Sequence, residues 1–394
     1  MEPAFQEKPA SRAAVGWYAH LPFCQTKCGY CDFYSLPTIP RLIDGLVRAI
    51  ERDLVRNDPA RPVESVFIGG GTPTELPTEA LDALVEAIGA RAGAVQEWTV
   101  EANPTSAGPH GLEHLRSRGV NRMSFGAQSF HADDLRVLER LHDPRHIAES
   151  VLAARAAGFD NINIDLIYAV PGQNLTRWRD SLRRAIDLDI EHLSCYALMY
   201  EPGTSLTRAQ HEGRVAACDE GLEADMFETT IEELTSAGFD HYEISNYARP
   251  NRRCRANLIY WENREYLGLG PSAVSYLNGV RRKNIADVRQ YIERIQADPA
   301  AVVVEAERLS PRQRASETAV QMLRLIRGID VAGFRRQTGY DPLGLFAEPI
   351  ARFAGLGLLE TDRQFIRLTR RGLLLANRVM ADFLPDEPGQ APTP

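Results

Sequence analysis

The sequence predicts an α/β protein in which six βα units form a partial parallel barrel, followed by a smaller, mainly helical domain. Two observations carry this. From residue 15 to about residue 239, short β-rich runs alternate with amphipathic stretches, the pattern of successive βα units and a parallel sheet. From about Pro299 that alternation gives way to helices and a hairpin. Six units are too few to close a full eight-stranded barrel.

In order along the chain, strands are expected over 15–20, 63–68, 98–101, 120–125, 161–167 and 192–198, with helices over 41–56, 79–90, 145–157, 175–188 and 222–237. In the last third, 310–326 reads as a helix because Ser310 and Pro311 occupy cap and first-turn positions. Helices are also expected over 331–338, 343–353 and 369–383. Segments 356–360 and 364–368 can pair across Thr361-Asp-Arg363, although Gly357 weakens the first of them. This resembles a winged helix. The resulting division is a flexible N-terminus (1–14), a barrel with its extension (15–298), a C-terminal domain (299–384) and a disordered Pro-rich tail (385–394).

Composition excludes several classes. With 394 residues, 44% of them hydrophobic, the chain can bury a sizeable core. A net charge of −8 argues against a general polyanion-binding surface, so nucleic acid is not an expected partner even though Arg363, Arg367, Arg370 and Arg371 cluster. The first residues lack the apolar core of a signal peptide, and no run approaches the about 18 apolar residues of a membrane span. A soluble cytoplasmic protein without stable membrane insertion is therefore expected. Six cysteines, three of them bunched, do not make the disulfide framework of a small secreted scaffold.

The bunched cysteines carry the chemistry. Cys24, Cys28 and Cys31 form a C-x3-C-x2-C loop in which Gly29 and neighbouring aromatics leave little helical propensity. Three thiolates are one short of the four that usually hold a 4Fe–4S cluster, which leaves one iron open to an outside ligand. A zinc site would ask for a fourth protein ligand. Parallel sheets place their chemistry at the C-terminal strand ends, and the polar candidates fall there. The cysteine loop follows the first strand and Gly69-Gly-Gly71-Thr72 the second; Glu101 ends the third and Gln128 follows the fourth; Asp165, then Tyr196 and Ala197, lie near the ends of the last two. Singly, each has an ordinary reading as a turn, cap or surface group; together with the cysteine loop they are expected to converge on one rim. Gly268-Leu-Gly270 lacks the third glycine and βαβ context of a dinucleotide loop and reads as a turn that could line the same pocket.

The C-x3-C-x2-C loop resembles the radical S-adenosylmethionine (SAM) signature. More specifically, Tyr18-Ala-His20 through Asp32-Phe33, Phe67 through Thr74, Asn121 through Phe130, Asp165 through Gln173 and His241 through Tyr247 resemble the HemN/HemW family, from about residue 15 to the end. The resemblance implies a partial (β/α)6 radical SAM barrel whose C-terminal domain lies over the barrel mouth as a lid or docking surface. It implies a 4Fe–4S cluster on Cys24, Cys28 and Cys31, and SAM held by Tyr18, Gly71, Thr72, Glu101, Gln128, Arg140, Asp165 and Ala197, with Tyr30 against adenine. No catalytic residue is assigned.

Two positions then sort the branches of the family. Coproporphyrinogen oxidases of this kind carry a fourth cysteine where this chain has Phe33, which points to the haem-chaperone branch: haem as ligand and a haem-acceptor protein as partner. That branch carries His-Asn-x-x-Tyr-Trp, and here Ala256 stands at the histidine, before Asn257 and Tyr260-Trp261. Alanine cannot ligate iron. His20, His142, His146, His241 and Cys254 are other candidate ligands. A radical SAM methyltransferase related to HemN is the alternative reading, with coproporphyrinogen oxidase behind it.

Overall fold

The computed structural model describes residues 13–385. All but the inner ends of the expected flexible N-terminus and disordered tail lie outside the described residues. Six parallel strands form the centre: β1 (Val15–Leu21), β2 (Val63–Gly70), β3 (Glu97–Ala102), β4 (Arg122–Gln128), β5 (Ile162–Tyr168) and β6 (His192–Ala197). Each pairs in parallel with its neighbour in chain order. The expected helices lie between them: Pro40–Asn57, Thr78–Ala92, Arg145–Ala156 and Leu175–Asp187, with Glu220–Ser236 after β6. Asn174 and Asp219 cap the last two by accepting bonds from Arg177 N and Leu222 N.

Register gives the two faces of this sheet opposite characters. Aligned partners in parallel strands share a face, and the side chains alternate along each strand. Trp17 aligns with Val66, and Val66 with Trp98; Val100 aligns with Met123, and Met123 with Ile162. These residues are buried under the helices. The opposite face is polar: Thr99 aligns with Arg122, Glu101 with Ser124, Ser124 with Asn163, and Asp165 with Ser194. A concave sheet with a polar inner face is built to hold something.

The sheet is larger than six units. It extends beyond β6 through β7 (Asp240–Glu243) and β8 (Asn246–Ala248), and beyond β1 through β9 (Tyr266–Leu269), β10 (Val274–Leu277), β11 (Val280–Asn284) and β12 (Val303–Arg308). The order is β12-β11-β10-β9-β1-β2-β3-β4-β5-β6-β8-β7. These outer strands are short, and the charged β11 and β12 suit an edge. Residues 303–308, expected within the C-terminal domain, pair with β11 and so extend this sheet. The fourth strand also starts two residues later than expected: Asn121 is spent on the turn before it, where its Oδ1 accepts from Trp98 N at 2.8 Å.

The C-terminal domain packs helices around a three-stranded sheet of β13 (Ile329–Asp330), β14 (Leu359–Thr361) and β15 (Phe365–Leu368), with β15 central. Helix Pro311–Leu323 opens with a capping box between Ser310 and Gln313. The helix expected over 343–353 is two, Pro342–Leu345 and Ala347–Gly355. Pro349 cannot donate to the carbonyl four residues back, so the chain turns at Phe346, whose buried ring meets Phe334 and Phe383. The helix expected over 369–383 likewise divides into Arg370–Leu374 and Ala376–Ala381. Gly372, a weak helix former, presses against the Leu358 carbonyl there. No helix among the described residues is long and apolar enough to cross a membrane.

Candidate functional site

At the C-terminal ends of the central strands lies a cavity of about 410 Å³, within the range of small-molecule and cofactor pockets. Cys24, Cys28 and Cys31 all border it, together with Tyr30, Gly71, Thr72, Glu101, Gln128, Arg140, Asp165 and Ala197. Tyr18 stands outside this wall. Its hydroxyl bonds His20 Nδ1 at 2.9 Å, and its ring tilts against Phe67, which borders the cavity in its place.

Backbone contacts fix the cysteine loop to the second strand end. Gly71 N donates to Leu21 O and Thr72 N to Phe23 O, both at 2.8 Å. A Cβ on Gly71 would stand 2.6 Å from the Phe23 carbonyl oxygen, so only glycine allows this approach. Gly70, at φ +103°, packs under the His20 ring, which also bonds Tyr34 O through Nε2 at 2.9 Å. His20 therefore staples the loop and has no nitrogen free for a metal.

A chain of side chains joins two of the cysteines. Arg140 Nη1 donates to Cys28 Sγ at 3.4 Å, and Arg140 Nη2 donates to Asn103 Oδ1 and, at 2.7 Å, to Gly126 O. Asn103 Nδ2 then donates to Thr72 Oγ1 at 3.1 Å, and Thr72 Oγ1 to Cys24 Sγ at 3.7 Å. Sulfur acceptors bonded in this way are a main lever on iron–sulfur clusters. Burial pushes the Cys24 and Cys31 thiols up, and metal coordination would deprotonate them outright. Among the described residues no three His, Cys, Asp or Glu side chains gather on a single-ion site; the thiols share a cavity wall, and this donor set fits a polynuclear cluster.

The deeper wall is acidic. Glu101 Oε2 accepts from Gly70 N at 3.1 Å, and burial followed by the charge of Asp165 pushes its carboxyl up to about 7. Burial raises Asp165 as well, against the bond it accepts from Asn163 Nδ2 at 2.8 Å. Gln128 sits at φ +65° after a register shift between β4 and β5, a bulge that turns its side chain towards the cavity.

Several wall residues escape sequence reasoning, among them Asn103, Arg122, Asn163 and Met199. The alternation Glu97, Thr99, Glu101 and then Asn163, Asp165 was the available signal for a polar inner face. Phe33 is 64% exposed and Met199 62%, both at the rim. Gly268 and Gly270 do not line the cavity: a Cβ at either would strike the backbone of Val274 or His20, so they serve close strand packing.

The histidine candidates do not border this cavity. His142 Nε2 lies 3.0 Å from Ala127 O, and His146 Nδ1 accepts from Asp143 N. Cys254 is buried beside Glu97, which pushes its thiol, already raised by burial, to about 12. Ala256 is buried in the first turn of helix Arg255–Trp261, where Glu97 Oε1 accepts from Arg255 N at 2.8 Å. Trp261 lies under Arg324 and Tyr260 against Tyr266, as packing anchors.

Comparison with known proteins agrees with this geometry. The family model for the Radical SAM superfamily matches residues 18–185, and that for the HemN C-terminal domain matches residues 309–375. Heme chaperone HemW of Bacillus subtilis is 34% identical over 373 residues, spanning 93% of this chain and 98% of that protein. Heme chaperone HemW of Mycobacterium tuberculosis is 33% identical, over 95% of this chain and 96% of its own. Among solved structures, the radical SAM enzyme coproporphyrinogen III oxidase (HemN) of Escherichia coli superposes with a TM-score of 0.81 at 24% identity, covering 95% of this chain and 91% of that one.

Proposed function

This chain belongs to the HemW family of radical SAM proteins, and from that premise we propose that it is a haem chaperone that carries a 4Fe–4S cluster and SAM and passes haem to an acceptor protein. The observation that carries the reading is the convergence of the three loop thiols with Arg140, Glu101 and Asp165 on one cavity.

Cys24, Cys28 and Cys31 would hold three irons and leave the fourth to the amino and carboxylate groups of SAM. When bound, cluster and SAM together supply one-electron chemistry at the sulfonium. Arg140, already anchored on Asn103 and Gly126, offers a guanidinium fork suited to a carboxylate. Glu101 and Asp165 suit ribose hydroxyls or a positive sulfonium, and Tyr30 offers a ring for adenine. Gly71 would bring backbone against the ligand, and Thr72, Gln128 and Ala197 would complete the wall. Phe33 leaves the rim without a fourth thiol, against a coproporphyrinogen oxidase.

Anaerobic reconstitution should give about four iron and four sulfide per chain, with an EPR signal that changes on adding SAM. Haem titration should then give a saturable Soret shift; a flat titration would remove the chaperone reading. The buried Ala256 favours a methyltransferase as second reading, which would release S-adenosylhomocysteine together with 5′-deoxyadenosine.

A further inference from the structure

A second cavity, of about 640 Å³, lies at the seam between the barrel and the C-terminal domain. Domain seams are a preferred place for ligands. Its floor is apolar, formed by Ile231, Leu258, Leu325, Leu368 and Leu373. Its wall carries Arg253, Arg327, Arg367 and Arg370 together with Glu262 and Glu360. Arg327 pairs with Glu262, Arg367 with Glu360, Arg370 with Glu228 and Glu232, and Arg253 with Asp240. Each guanidinium has five donors in a fork, so these carboxylates orient it and leave donors over. An apolar floor under a rim of guanidinium forks with donors to spare recognises a flat, apolar molecule that bears carboxylates.

His241 faces the same cavity. Its ring stacks on Tyr247 at 4.5 Å and 11°, and its Nε2 lies 3.3 Å from Ile244 O. A carbonyl on one ring nitrogen fixes the tautomer and orientation, the usual companion of a ligating imidazole. Burial holds its pKa down at about 4, which keeps the ring neutral. The two cavities are also neighbours. Asn257 borders the first and Leu258 the second, on one helix. Tyr242, in the second wall, bonds His192 Nε2 at 2.9 Å and accepts from Cys254 N at 3.4 Å, while Cys254 borders the first.

We propose that the seam cavity is the haem site of this chain: the propionates lie on Arg327, Arg367 and Arg370, the macrocycle on the Leu258, Leu325 and Leu368 floor, and His241 takes the iron in place of the residue missing at Ala256. The inference rests on the haem-handling reading above. It places the cargo one helix away from the cluster cavity.

The test titrates three probes into the reconstituted full-length protein: haem, zinc protoporphyrin and protoporphyrin dimethyl ester. An Arg327→Gln/Arg367→Gln variant, at two half-exposed arginines, should weaken haem and zinc protoporphyrin alike by tenfold or more, and the dimethyl ester should bind wild type as weakly as the variant binds haem. His241→Ala should shift the Soret maximum and the iron EPR signature, with restoration by added imidazole. If wild type binds haem and these variants leave affinity and spectrum unchanged, the seam site is overturned and the chaperone reading stands. If wild type binds no haem at all, both fall.

Discussion

The two cavities are built in opposite ways. The strand-end cavity is assembled from backbone and half-buried side chains that bond one another: Arg140, Asn103, Thr72 and two cysteines form one continuous chain, and glycines admit the loop to the strand. The seam cavity is assembled from half-exposed arginines over an apolar floor, each paired with a carboxylate at the surface. Connected networks are stiff and costly to break; surface ion pairs are cheap and exchangeable. The first suits a resident group, the second a ligand that must leave. This contrast can be attacked from either side.

The largest effect is expected at the thiols. Cys28→Ser should reduce reconstituted iron from about four per chain to near zero by iron and sulfide assay, since two thiolates do not retain a cube. Retention of full iron in that variant would remove the distinction, because the strand-end cavity would then have no fixed occupant.

Next comes the acidic wall. The Glu101 carboxyl is pushed up to about 7 in the folded chain and has an ordinary pKa unfolded. The native state therefore holds the extra proton between roughly pH 4.5 and 7, and stability falls as pH rises through that window, by about 3 kcal/mol in all. Asp165 adds in the same sense. Urea denaturation of the cofactor-free protein from pH 5 to 8 should show the decline, and Glu101→Gln should flatten it. An equal slope in the variant would assign the decline to another group.

Sequence reasoning reached the first cavity and not the second, for a physical reason. Strands in βα units are buried on both faces, so their ends are marked by a change from apolar runs to glycine and polar residues, and the rule that loops at those ends carry chemistry does the rest. Asn103 was missed because it lies just past Glu101, in a loop whose partner, Arg140, is distant in sequence. Family likeness puts Tyr18 at the site; register sets it beside Phe67 on the same inner face, where its hydroxyl bonds His20 and Phe67 borders the cavity. The seam cavity draws on residues from 231 to 373, and no local pattern announces a wall that exists only after two domains dock. The outer strands were missed because they are short and their register depends on β1 and β6.

Asn103→Ala probes the stiffness of the first cavity directly. It leaves Arg140 without one acceptor and Thr72 without one donor, in a half-buried setting. A loss of about 1.5 kcal/mol in denaturation free energy is expected, the usual consequence of removing a hydrogen-bond partner of a charged group. A loss too small to measure would mean that water replaces the amide, and the network would be as exchangeable as the seam.

The smallest effect tests whether the two regions are mechanically separate. Ser310 caps the first helix of the C-terminal domain, accepting from Gln313 N while Gln313 reaches back to Ser310 N. Ser310→Ala should cost about 1 kcal/mol. Because the capped helix belongs to the domain that supplies Leu368 and Arg370 to the seam, faster hydrogen exchange should appear over residues 311–323 and along β15. The strand-end cavity draws no wall residue from beyond Asn257, so iron content and the SAM-dependent EPR change should stay at wild-type values. A fall in iron content with Ser310→Ala would show that docking of the C-terminal domain braces the cluster cavity as well, and the stiff resident site would then depend on the exchangeable one.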